Sequence, residues 1–360
     1  MSIGGATITL PKNSFDIDPA QDAMIAEAAI EHGSMNKAAA ALGISRTAVQ
    51  MACRRNVERA TLAASPSVPA ANQLPPSDLP INEIIAMQAK RFTQRLEHHK
   101  AKRWREFAVP VAGPYGLMFF GDPHVDDNGC NWPLLQSHCK LSAETEAVYA
   151  INIGDSTNNW TGRLARLWAE QDTSSSTARA MVKWLLSESG VPWFLWLHGN
   201  HDLWDGPVGA GWFEAHRPHF VAMEDWQAKV VLRSPNGHQL RLWAAHNFKG
   251  NSIWNNMHGL ERAAQMQDWA HLYVAGHHHD TGLRQGENPH RGFCYWLARA
   301  RGYKFIDHFA ELHGFGEHQH GASVLAVIDP AADKPNAVQC FLDPLEGAEF
   351  LAWKRRKLVA

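Results

Sequence analysis

The sequence predicts an α/β fold, a sandwich of mixed strands and helices, preceded by a small helical region. Three observations carry this expectation. From about Tyr115 short apolar runs recur, and each ends abruptly in polar or charged residues. One amphipathic helical stretch, Ser174 to Glu188, separates two of those runs. Before them, residues 21–59 carry an Ala-rich helical pattern broken at Gly33 and at Gly43-Ile44-Ser45.

Taken in order, YGLMFF precedes Gly121-Asp122, VYAINI precedes Gly154-Asp155, and WFLWL precedes His198-Gly199-Asn200. LYVA precedes Gly276-His277 in the same way. Such runs read as buried strands whose polar ends are displayed on loops, where catalytic groups usually sit. KVVLRS and QLRLWAAH flank Pro235-Asn236-Gly237-His238, a hairpin turn. FCYWLA, SVLAVIDP and VQCFLD add later strands. Alternation of strands and helices is what assigns the α/β class.

A chain of 360 residues has room for a catalytic domain and something more. Its 45% hydrophobic and 19% charged content is that of a globular protein. A net charge of −2 excludes a global basic field, so any nucleic-acid surface must be local. The five cysteines form no C-x-x-C pair, and their scatter suits a reducing interior. The start lacks the basic and apolar regions of a secretory signal, and no run of about 18 apolar residues occurs. The expected location is cytoplasmic, with no membrane association. Four segments follow: a helical module over 1–60, a Pro/Ala/Ser-rich linker over 61–81, a basic helix over 82–110 and a catalytic domain over 111–360. The basic stretch from Asn82 to Arg105 sets seven Lys/Arg against two Glu.

The strand ends carry the chemistry. They present Asp122-Pro123-His124, then Asp155 with Asn158 three residues on, then Asn200-His201-Asp202, then His246, then His277-His278-His279. A single Asp-x-His means little. Five clusters in order, each after a predicted buried strand, make a site for divalent metal ions. Carboxylate, carboxamide and imidazole donors suit borderline metals better than Mg²⁺ or thiolate-bound zinc.

This set (D-x-H, G-D-x-x-D/N, G-N-H-D/E, H, G-H-x-H) resembles the calcineurin-like metallophosphoesterase superfamily over about residues 115–280. The resemblance implies a two-sheet β-sandwich flanked by helices, and hydrolysis of phosphate esters. It implies that Asp122, His124 and His279 hold one metal, that Asn200, His246 and His277 hold the other, and that Asp155 bridges both. His201 then faces the phosphate as the catalytic residue, and His278 is not a ligand. Two divalent ions, two carboxylates and a bridging hydroxide leave a charge of about +1, which attracts phosphate. Mn is the expected metal pair, with Fe or Zn as alternatives.

Two positions depart from the family pattern. Asn158 stands where many relatives have an Asp that orients the catalytic His; its amide oxygen is expected to accept the imidazole N–H without supplying charge. His246 is followed by Asn247 rather than the frequent Gly. Lys249, Arg299 and Arg301, with Lys304, are candidates for substrate contact. His308, His313, His318 and His320 read as a polar loop.

At the N-terminus, AMIAEAAIE, MNKAAAAL capped by Ser34, and RTAVQMACRR form three short helices. The spacing of Ala39, Ala40, Gly43, Ile44 and Val49 resembles a helix-turn-helix DNA-binding module. Arg46, Thr47, Gln50 and Arg54 on its third helix would then face bases or phosphates. The combined expectation is a DNA-tethered nuclease-like phosphodiesterase. A phosphomonoesterase or nucleotide phosphodiesterase with a targeting module is the second, and a non-enzymatic DNA-binding regulator with a vestigial site the third.

Overall fold

The computed structural model describes residues 2–3, 6–7, 18–63, 77–306, 320–332 and 337–359. The chain divides into two compact units, Met1–Ile84 and Ile85–Ala360.

In the first unit β1 (Ser2–Ile3) pairs with β2 (Ala6–Thr7), followed by helices α1 (Pro19–Glu31), α2 (Met35–Leu42) and α3 (Arg46–Ala63). Capping sets the boundaries. The Ser34 side chain accepts from the Lys37 N–H at 3.2 Å, and Gly43 closes α2 in the left-handed region at φ 68°. Ile25, Ala38, Ala39, Val49 and Ala52 form the core, and the alanines let the helices approach closely. Buried Asp22 accepts two hydrogen bonds from Arg55, at 2.9 and 2.8 Å, and one from Arg59 at 2.7 Å. Those arginines, Arg55 foremost, hold its carboxyl below the usual range. Two of the four arginines on α3 are thus engaged inside the unit.

Two expected boundaries move. The third helix continues to Ala63, into the stretch read as linker; residues 64–76 lie outside the described residues. Helix α4 runs Ile81–Lys102 rather than to 110. Trp104 adopts φ 58°, which ends helical propagation, and β3 (Arg105–Ala108) follows as a sheet edge. Its mostly exposed, charged residues hide the strand signal. No helix among the described residues is long and apolar enough to cross a membrane.

The second unit contains two six-stranded mixed sheets. The first is built from β4 (Tyr115–Phe120), β5 (Val148–Asn152), β6 (Trp193–His198) and β7 (Ala222–Asp225), all parallel. Strands β13 (Ser323–Ile328) and β14 (Val338–Phe341) extend it antiparallel beyond β4. The second sheet has the order β11-β12-β10-β9-β8-β3. Its members are β8 (Gln227–Arg233), β9 (Gln239–Ala245), β10 (Leu272–Ala275), β11 (Gly282–Asn288) and β12 (Phe293–Arg299), besides β3. The β8–β9 hairpin turns as expected, with the Ser234 N–H bonded to the His238 carbonyl at 2.9 Å.

Alternate residues of both sheets, such as Leu117, Ile151 and Leu195 with Leu242 and Val274, enter one shared core. Burying each such side chain contributes about 1.5–3 kcal/mol. A second cluster joins the other face of β4–β6 to α5 (Trp132–Glu144), α6 (Ser175–Lys183) and α10 (Pro344–Val359). A third joins β9, β10 and β12 to α9 (His258–Met266). Short helices α7 (Asn200–Leu203) and α8 (Gly206–His216) follow β6. With adjacent strands parallel in β4–β5–β6 and in β9–β10, their carboxyl ends collect the loops of interest on one edge of each sheet.

Candidate metal centre

Each candidate donor stands one to four residues past a strand, and crowding explains the preceding glycines. A Cβ at Gly199 would lie 2.1 Å from Asp155 Oδ1, and one at Gly276 would lie 2.4 Å from Asp122 Oδ1. Four donor residues take left-handed backbone angles: His124 (φ 40°), Asp155 (48°), His277 (69°) and His279 (49°). Such angles are uncommon outside glycine and cost energy, so the packed strand ends must enforce them.

Three overlapping donor groups result. Asp122, His124 and His279 bring one ligand atom each within 4.8 Å of one another, Asp155, His246 and His277 do the same, and His124, Asp155 and His201 form the third. Asn200 joins the second group, its Oδ1 3.1 Å from His246 Nε2. Around that nitrogen also stand His277 Nδ1 at 3.0 Å and Asp155 Oδ2 at 3.2 Å. His246 Nδ1 donates to the Ile153 carbonyl at 3.0 Å, which leaves Nε2 with a lone pair. Lone pairs from four side chains therefore converge on one point. That arrangement needs a positive charge among them, a proton on His246 Nε2 or a metal ion.

The first group shows the same need differently. His124 is 2% exposed, and neither of its ring nitrogens has a hydrogen-bond partner. Asp122 is fully buried; its Oδ2 accepts from the His277 N–H at 2.7 Å, while Oδ1 has no hydrogen-bond partner and lies 3.6 Å from His246 Nδ1. Leaving such groups unpaired costs roughly 1–3 kcal/mol each. Burial and then the Asp155 charge push the Asp122 carboxyl up to about 8, although His246 opposes them. Burial also holds His124 well below its ordinary value, and His277 down to about 3. At His246 burial is outweighed by Asp155 and Asp122, which push it up to about 9. Buried His124 and His277, held neutral beside the carboxylates, match the donor set of divalent metals.

His201 sits beside the first two groups, its Nε2 3.9 Å from Asp155 Oδ2 and its ring 5.0 Å from that of His124. Its orientation corrects the expectation for Asn158. The backbone carbonyl of Asn158, not its side-chain amide, accepts from His201 Nδ1. The amide nitrogen instead donates to Asp127 Oδ2 at 2.8 Å. A main-chain acceptor is available whatever side chain stands at 158, so the Asp-to-Asn departure costs His201 no partner.

Of the substrate candidates, Lys249 is exposed. Arg299 is not placed for that role: it is 1% exposed and donates to the carbonyls of Gly276 at 2.7 Å and Asn256 at 3.0 Å. It braces the loop that carries His277. Arg301 is likewise buried, with its guanidinium over the Phe305 ring and a hydrogen bond to the Lys304 carbonyl. Lys304 pairs with Asp127 at 3.0 Å. His320 is exposed, and His308, His313 and His318 lie outside the described residues. His278 is exposed, its ring edge-on to that of His277 at 5.1 Å. On α3, Arg46, Thr47, Gln50 and Arg54 are all exposed, opposite buried Val49 and Ala52.

Sequence reasoning missed Asp202. Its Oδ1 accepts from the Ser156 N–H at 3.0 Å and its Oδ2 from the Gly199 N–H at 2.9 Å, tying the Asp155 loop to the Asn200 loop. The signal was its place in Gly-Asn-His-Asp, but only the fold shows both amides it reaches. Trp160 and Trp204 were also missed; they flank the His201 ring at 5.4 and 4.1 Å.

No protein-family model matches the chain, and no curated protein matches it. Among solved structures it is similar to the crystal structure of Chaetomium thermophilum Vps29, with 14% identity, 63% of this chain and 96% of that chain covered, and a TM-score of 0.34. Likeness at that level leaves the function to the chain's own residues.

Proposed function

We propose that this chain is a binuclear metal-dependent phosphoesterase that hydrolyses phosphodiesters of DNA, with the N-terminal helices binding the DNA. The observation that carries the hydrolase reading is the convergence of Asp155, Asn200, His246 and His277 lone pairs beside the orphaned nitrogens of buried His124. Asp122, His124 and His279 would hold one divalent ion, Asn200, His246 and His277 the other, with Asp155 between them. Mn is the first choice for these N and O donors, ahead of Fe and Zn. The chemistry such ions supply is polarisation of phosphoryl oxygens and a water whose pKa is lowered towards about 7.

The protein's own groups do the rest. The Asn158 carbonyl keeps a proton on His201 Nδ1 and turns Nε2 towards the centre. Nε2 is then placed to bond the phosphate, or to carry a proton to the leaving oxygen. Asp202 and Arg299 hold the loops, so the donors need no rearrangement on binding. The DNA part is supported by the exposed stripe Arg46, Thr47, Gln50 and Arg54, which faces away from the core of the first unit.

One panel tests both parts. The Mn²⁺-loaded protein is offered a diester reporter, a monoester reporter, and single- and double-stranded DNA. Cleavage of diester and DNA is expected; monoester cleavage with DNA intact would make it a phosphomonoesterase, and no turnover with any metal would favour the regulator. Replacing Arg46 and Arg54 together by Ala should weaken DNA binding and lower the salt slope by about 2. An unchanged slope removes the DNA role of α3.

A further inference from the structure

Helix α4 (Ile81–Lys102) is 22 residues long, and none of its residues is buried. A helix that stays in water is polar all round, whereas this one carries large apolar side chains along one side. Ile81, Ile85, Phe92 and Leu96 follow one another at spacings of 4, 7 and 4. At 3.6 residues per turn they fall within about 60° of one another around the axis. They are 67%, 59%, 66% and 39% exposed, although each is of a type that folding normally covers. Four large side chains in one uncovered row make a contiguous patch, and such patches mark contact surfaces.

The order of the row identifies what covers it. Its four positions are symmetric about the midpoint between Gln88 and Ala89. Ile81 stands as far before that point as Leu96 stands after it, and Ile85 as far before it as Phe92 after it. Two copies laid antiparallel across that midpoint therefore set Ile81 against Leu96 of the other copy, and Ile85 against its Phe92. Each contact then occurs twice, which is what a two-fold interface requires: the same patch on both chains, each residue meeting its counterpart reciprocally. A partner of different sequence would need no such symmetry. Ala89, beside the midpoint, keeps the crossing free of bulk.

Charge favours the same direction. Residues 81–88 carry only Glu83, and residues 89–102 carry five Lys/Arg against Glu97, so the two halves stand at −1 and +4. Antiparallel pairing puts unlike halves side by side, whereas parallel pairing would set the two basic halves together. Two such rows, with the aliphatic stems of Arg91 and Arg95 beside them, bury on the order of 1,000 Å², the size a specific interface needs. We propose that α4 pairs this chain with a second copy of itself, as two antiparallel helices crossing between Gln88 and Ala89.

Analytical ultracentrifugation of the full-length protein at about 100 µM, above the micromolar Kd that such an area can give, should return twice the chain mass. Phe92→Glu puts a carboxylate into the row twice per dimer and should weaken association by about a hundredfold, returning a monomer. Ile85→Glu should do the same, and Gln94→Glu, on the opposite side of the helix, should leave the dimer intact. Circular dichroism should keep the wild-type spectrum in all three, since none of these positions is buried. Direction is read by cysteine cross-linking against the wild-type background. An equal mixture of Ile85→Cys and Phe92→Cys should form a mixed disulfide pair that neither variant forms alone. A monomeric wild type overturns the proposal and leaves the row to another protein or another segment of this chain. A dimer that survives Phe92→Glu and Ile85→Glu, or is lost equally in Gln94→Glu, overturns the role of the row. Cross-linking of Ile85→Cys with itself would mean parallel helices and overturns the antiparallel pairing.

Discussion

Among the described residues of the second unit, two buried polar clusters differ in whether they satisfy themselves. In the first, His138 on α5 is 8% exposed, and its Nδ1 sits 2.8 Å from the Tyr303 hydroxyl and 2.9 Å from Ser323 Oγ. This histidine has partners within the protein and no carboxylate in its hydrogen-bonding set. At the strand ends, by contrast, two carboxylates and several imidazoles face one another, with both His124 nitrogens unpartnered and polar atoms of three side chains crowded around His246 Nε2. Left-handed backbone angles occur at four donors of that centre. A polar network that satisfies itself stabilises the fold, whereas one that does not points to something that binds there.

The largest effect should come from the open cluster. Asp155→Asn is expected to lower diester turnover by on the order of a thousandfold or more while circular dichroism keeps the wild-type spectrum. Mn²⁺ at about 100 times its Kd should stabilise the wild type by about 2.7 kcal/mol, read as a rise in Tm that the variant lacks. An equal rise in both would show that the ion binds elsewhere. Next in size, Asp202→Asn unties the Ser156 and Gly199 amides and should weaken Mn²⁺ binding by about 10–100-fold, measured by titration calorimetry. Undiminished affinity would mean that the two loops hold their places without it.

The closed cluster should answer to pH instead. Burial holds the His138 imidazole down to about 4, below its ordinary value of 6.5. The unfolded chain takes up that proton first as pH falls. The stability contributed by neutral His138 is therefore whole above about pH 6.5 and lost as pH falls through about 4, a span of about 3 kcal/mol. Urea midpoints of the wild type and His138→Gln, compared between pH 7 and 4, should converge towards acid. Parallel curves would show that His138 carries no such linkage. Its replacement should leave Mn²⁺ affinity within about twofold, since the cluster supplies no donor to the centre.

Much of this was legible without coordinates, because strands buried on both faces announce themselves as apolar runs. YGLMFF and LYVA coincide with β4 and β10, and MNKAAAAL with α2. In the second unit β3, β7 and β11 escaped notice: β3 and β11 expose much of their length and so carry polar residues where the pattern needs apolar ones, and β7 is four residues long with two of them acidic. Donor types and their order were readable for a related reason: each follows a run that ends where the chain leaves the core.

What the tertiary structure alone decided is how those side chains are spent. Arg299 and Arg301 looked like phosphate contacts but are buried, Arg299 on the Gly276 and Asn256 carbonyls and Arg301 beside Phe305. The support expected from the Asn158 amide comes from its carbonyl, while the amide nitrogen is spent on Asp127 and Gln171. The reason is physical. Periodicity and composition report burial, which is a property of a segment, and so they reach the strands and the donors at their ends. Hydrogen-bond partners are set by which distant backbone groups a fold brings within about 3 Å, and a linear pattern does not contain that distance.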